Sequence, residues 1–186
     1  MRTMLAALAA SAFPVALHAQ QCPVPSFDGF TPASSAQVVG ERLEVIMQPV
    51  ANLRIPQGFS KVGVLPDGSV GFGRHPAGKV VVLGFETVQS VSIHQEGAQP
   101  ADFFRSVFGG TSEQGCKYLT AFRLEDEEYR LRWKLAERAE VFAYGTGDEH
   151  HFYVIRADRK DHVLNGFVRN VRRDEFEQIL STINLD

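Results

Sequence analysis

The sequence predicts an α+β fold: one or more antiparallel sheets, a short central helix, and a C-terminal amphipathic helix packed on the sheet. Three observations near the C-terminus carry this. Residues 139–144, 151–155 and 162–168 are short runs rich in aromatic and β-branched side chains, the composition of strands. Between them, residues 145–148 and 157–161 are rich in Gly, Asp and other turn formers. Phe176, Ile179, Leu180 and Ile183 then recur at i, i+3, i+4 and i+7, which places four large apolar groups on one helical face.

The chain has 186 residues and is 44% hydrophobic, enough for one domain with a sizeable core. Residues 1–19 read as a secretory signal peptide. Arg2 supplies a positive start, Met4 to Ala16 is an apolar and small-residue run, and Ala19 is a small residue at the expected cleavage point. That run is short for a membrane span and Pro14 interrupts it, so no stable membrane anchor is expected. Gln20 and Gln21 precede Cys22 where a lipidated cysteine needs small residues, so the expected location is periplasmic or secreted.

In an oxidising compartment, Cys22 and Cys116 read as one structural disulfide. It closes a loop of roughly 95 residues, worth about 4–5 kcal/mol at best by chain entropy. Arg2 is the only Lys or Arg among residues 1–19. Removing it from the 19 basic residues leaves 18 against 22 acidic ones, a net charge of −4. This acidic balance gives no footprint for nucleic acid or anionic lipid. Arg169, Arg172 and Arg173 read as a solvated helix start.

Residues 20–37, rich in Pro, Ser and Ala, form an extended lead-in, and residues 38–186 form a single α+β domain. Residues 38–47 fit either a helix face (Val38, Arg42, Val45, Ile46) or a strand (Leu43, Val45, Met47), and Pro49 ends both. Residues 50–55 read as a strand. Pro66, Asp67 and Gly68 make a turn between the alternating runs 61–65 and 69–72, because Pro presets φ and Gly accepts positive φ. A second turn at 74–78 leads to 79–85, apolar on both faces and therefore a central strand.

Residues 88–94 alternate at Val91 and Ile93 and are expected to be a strand. Pro100 opens a helix with Phe103, Phe104, Val107 and Phe108 on its apolar face, and Gly109 and Gly110 stop it. Residues 115–122 are expected to be a strand. In 124–136, Tyr129, Leu131, Trp133 and Leu135 alternate with Arg130, Arg132 and Lys134, which favours a half-buried strand from Tyr129. Acidic residues 125–128 ahead of those basic ones would also suit a helix.

Ser90–His94 ahead of Ala101–Phe104, with Asp174–Ile183 at the end, resembles the element order of exported Mog1/PsbP-like α+β domains across roughly residues 50–185. The resemblance implies a non-catalytic binding or assembly module. The strands around 61–85 and the segment 125–136 do not map onto it.

No motif of nucleophilic catalysis or phosphate binding is present. The expectation is therefore an exported non-enzymatic domain that binds another envelope protein, of an inhibitor, immunity or assembly type, without a cofactor. The acidic run with Glu127 and Glu128 and the hairpin tip with Asp148, Glu149 and His150 are the expected contacts for a basic partner. The alternative is a zinc protein or metal-dependent hydrolase using His150 or His151 with His94 or His162. Strand alternation sends His150 and His151 to opposite faces, so at most one could join a given site.

Overall fold

A computed structural model describes residues 22–34, 40–74 and 78–185. The expected leader, Val38 and the centre of the 74–78 turn lie outside these residues.

The elements run in chain order as β1 (Asp28–Gly29), β2 (Arg42–Met47), β3 (Ala51–Pro56), β4 (Lys61–Val64), β5 (Val70–Arg74) and β6 (Lys79–Thr87). Then come α1 (Val88–Ser92), α2 (Pro100–Gly109), α3 (Glu113–Phe122) and a 3-10 turn at Leu124–Asp126. The chain ends with β7 (Tyr129–Leu135), β8 (Ala139–Thr146), β9 (Glu149–Arg156), β10 (His162–Arg169) and α4 (Arg173–Leu180). Eight strands form one sheet in the order β1-β7-β8-β9-β10-β6-β5-β4, and β2 pairs with β3 in a separate hairpin. Every pairing is antiparallel except that of β1 with β7.

The long central strands are apolar on both sides, so both sheet faces must be covered. On one face, Leu131, Trp133, Val141, Phe152, Val154 and Leu164 pack with the β2–β3 hairpin and with Phe176, Ile179 and Leu180 of α4. On the other, Phe142, Tyr144, Tyr153, Ile155 and Val163 pack with α2 and α3 through Phe103, Phe104, Phe108 and Leu119. We refer to these as the hairpin face and the helical face.

The α+β class, the three C-terminal strands and the two amphipathic helices agree with the sequence expectation. Residues 129–135 form a strand with Tyr129, Leu131 and Trp133 buried. The ambiguous 42–47 segment is also a strand. The turn at 66–68 forms, with Gly68 at φ 84° and its N–H bonded to the Leu65 carbonyl at 2.9 Å.

Two expected strands are helices. Residues 88–92 coil because Thr87 and Ser90 form a reciprocal cap: the Thr87 N–H donates to Ser90 Oγ at 2.8 Å and the Ser90 N–H to Thr87 Oγ1 at 3.3 Å. Residues 113–122 coil from Ser112, whose Oγ accepts the Gly115 N–H at 3.0 Å. Gly115 lies against Ser106 of α2 so closely that a Cβ there would come within 2.8 Å of its backbone. That contact explains the glycine better than a strand does.

Cys22 and Cys116 form the expected disulfide. It fixes the start of an extended strap whose Phe27 packs edge-on against Phe108 and Phe142, and whose residues 28–29 pair with β7.

Candidate functional site

The helical layer does not cover the whole of its face. Strand register places Tyr144, His151, Phe167, Val82, Gly71 and Gly63 in one row across β8, β9, β10, β6, β5 and β4. Tyr144 lies under the helices and is buried, whereas His151, Phe167 and Val82 are only half-buried. The next row holds Phe142, Tyr153, Asn165 and Gly84. Where the helices end, the sheet floor therefore opens as a strip bounded by α1 on one side and by the β4–β5 turn on another.

A groove of about 520 Å³ runs along this boundary, lined by Asp67, Ser69, Glu86, Gln89, Ser90 and Asn165. It continues into a smaller cavity of about 130 Å³ over Val82, His151, Tyr153 and Phe167, with Asp67, Ser69 and Asn165 common to both. Glu86 is held in place by two donors: Asn165 Nδ2 reaches Oε1 at 2.7 Å and Ser90 Oγ reaches Oε2 at 2.8 Å. Asp67 accepts the Ser69 N–H at 3.0 Å and the Ser69 hydroxyl at 2.6 Å, and these bonds hold its carboxyl below the usual carboxylate range. The groove thus carries two fixed carboxylates, and among the described residues neither Lys nor Arg lines it.

The aromatic end is packed ring on ring. His151 stacks on Tyr144 with ring centroids 5.1 Å apart and lies 5.0 Å from Phe167. Burial lowers the His151 pKa, so the ring is neutral at pH 7. Burial raises the phenols of both Tyr144 and Tyr153, whose rings stack with centroids 6.4 Å apart.

Of the sequence-derived site residues, His151 lies at the floor of this groove and the others fall elsewhere. Glu127 and Glu128 do meet the tip of the β8–β9 hairpin, as neighbours of Asp148, Glu149 and His150. Glu127 Oε2 accepts the Thr146 hydroxyl at 2.8 Å and Glu128 Oε2 accepts the Gly147 N–H at 3.1 Å. Glu149 pairs with Arg169 at 2.6 Å. These three carboxylates therefore brace the hairpin and the end of β10.

The four candidate histidines are dispersed. His150 is fully buried on the hairpin face, bonded to Tyr129 and to the Val171 carbonyl. His151 is on the helical face, His94 lies against Phe103 and Tyr118, and His162 Nδ1 lies 3.0 Å from an Asp161 carboxylate oxygen. Among the described residues, no three His, Cys, Asp or Glu converge on a metal position.

Comparison with known protein families, curated proteins and solved structures finds no match to this chain. The chemistry of the groove is therefore read from its own groups. Two carboxylates, two amides and three hydroxyls beside an apolar aromatic floor suit a ligand that donates hydrogen bonds and carries positive charge. None of the polar residues lining the larger groove was singled out from the sequence as a site residue. The available signals were Asn165 inside the apolar run 162–168 and the Thr87–Ser90 cap spacing beside Glu86.

Proposed function

We propose that the chain is an exported, non-enzymatic protein-binding domain of an inhibitor, immunity or assembly type. Its groove accepts a basic side chain from another envelope protein. The observation that carries this reading is the groove itself. It is the part of the helical face left open beside α1, and its two carboxylates have no Lys or Arg among the lining residues. A Lys or Arg side chain would lay its methylenes on Phe167 and Val82 and direct its charge to Asp67 and Glu86.

The disulfide and the absence of a helix long and apolar enough to cross a membrane fit this location, among the described residues. The acidic end at Glu127, Glu128 and Asp148 would add long-range attraction for a basic partner.

A photo-crosslinking residue in place of exposed Gln89 tests the reading in the exporting cell. One discrete protein adduct is expected, and it should weaken strongly in the Asp67→Asn, Glu86→Gln double variant. An adduct indifferent to both substitutions, or none, would overturn it.

A further inference from the structure

The sheet has two ends of different character. At one end β1 is two residues long and continues into the disulfide-anchored strap. At the other, β4 is exposed at all four residues, and β5 is its only strand neighbour among the described residues. Val62 is 61% exposed and Val64 75%, both on the hairpin face, in register with Phe72 and Val70. An exposed edge with apolar side chains is a template for another strand, and monomeric proteins usually block such edges with charges, Pro or bulges.

The hydrogen-bonding direction of this edge can be read from its turn. The Leu65 N–H donates to the Ser69 carbonyl at 2.8 Å, so the backbone groups of Leu65 point inward to β5. Alternation along an antiparallel strand then points Gly63 inward as well, and turns the N–H and C=O of Val62 and Val64 outward. Two residues thus turn four backbone groups, unpaired among the described residues, toward whatever lies beyond.

We infer that the occupant of this edge is a second copy of the chain, joined by antiparallel β4–β4 pairing about a two-fold axis through Gly63. In that register Val62 faces the second copy's Val64, and Val64 faces its Val62. All four outward groups of each copy are then paired, and the exposed valines meet on one face. Gly63 meets its own counterpart as a close, non-hydrogen-bonded pair. The only charged residue of the strand, Lys61, falls opposite the second copy's Leu65 and not opposite another lysine. On the helical face Lys61 also lies diagonally toward the second copy's Asp67 turn, so the charges are complementary. The edge is self-complementary in backbone, shape and charge, which is what an isologous interface requires. Two eight-stranded sheets would become one continuous sheet.

Sedimentation of the purified full chain over a wide concentration series tests this. A reversible dimer is expected, and Val64→Lys should leave the circular dichroism spectrum unchanged while returning the chain to monomer. Register is tested by Gly63→Cys, since a Cβ at Gly63 meets no atom within 4 Å. Mild oxidation should convert this variant to a covalent dimer much faster than Val62→Cys, whose own counterpart lies off the axis. A chain that stays monomeric throughout, a dimer indifferent to Val64→Lys, or equal crosslinking at 62 and 63 would each overturn the inference.

Discussion

Tyr129 and His150 are joined by a 2.7 Å hydrogen bond that spans β8, passing over Gly145. The second His150 nitrogen lies 2.6 Å from the Val171 carbonyl, which can only accept. Nε2 therefore carries the proton, Nδ1 is bare, and the Tyr129 hydroxyl donates to it. The imidazole also stacks on Phe176 of α4 with centroids 4.6 Å apart. One fully buried ring thereby ties β7 and β9 to the start of the C-terminal helix.

Replacing Tyr129 by Phe keeps the packing and removes the hydroxyl that donates to Nδ1. A buried acceptor left without a partner costs about 1–3 kcal/mol. Urea denaturation should show a loss of that size with little change in slope.

The same ring makes stability depend on pH. Burial, the largest influence, lowers the His150 pKa; Arg173 also lowers it, while the Val171 carbonyl, Asp148 and Glu127 act in the opposite direction. With the folded pKa below the unfolded value of about 6.5, the unfolded chain binds more protons between the two. The stabilisation is complete above about pH 6.5 and is lost as the pH falls toward the folded pKa. Melting temperatures taken between neutral and mildly acidic pH should fall more steeply for the wild type than for His150→Gln.

Gly145 leaves the space that this bond crosses. A Cβ there would lie 2.4 Å from the Glu149 carbonyl oxygen, 2.7 Å from His150 Nδ1 and 2.9 Å from the Tyr129 hydroxyl. Gly145→Ala should destabilise by about 1–3 kcal/mol or more, as overpacking does. Combined with Tyr129→Phe, its cost should be less than additive, because the two share a neighbourhood.

The Cys22–Cys116 disulfide spans 94 residues. Losing it in a Cys22→Ser, Cys116→Ser variant should cost about 2–5 kcal/mol. Because the strap packs Phe27 onto Phe108 and Phe142, hydrogen exchange should rise first at β1 and the C-terminal half of α2.

What the sequence revealed follows from how far each signal reaches. The strands at 139–169 and the helix after Arg172 were legible because their periodicity is long and uninterrupted. The 88–92 and 113–122 segments were not: five residues cannot separate a helix period from alternation in the first, and side-chain caps, Thr87 with Ser90 in one and Ser112 in the other, decided them. His150 and His151 were correctly separated onto opposite faces by strand alternation. The groove was not legible, because Asp67, Glu86, Ser90 and Asn165 come from three distant segments. The β10–β6 register, which pairs Asn165 with Gly84, and the β5–β6 register, which pairs Val70 with Leu83, bring them together.

The central claim is that the groove binds a basic side chain, and the most direct measurement is an NMR titration of the ¹⁵N-labelled chain with short capped peptides. A peptide bearing one Lys or Arg should shift the Asn165 side-chain amide and the His151 ring, and a Glu peptide should not. The shifts should vanish in the Asp67→Asn, Glu86→Gln variant. No shift with the basic peptides, or equal shifts with the acidic one, would contradict the account.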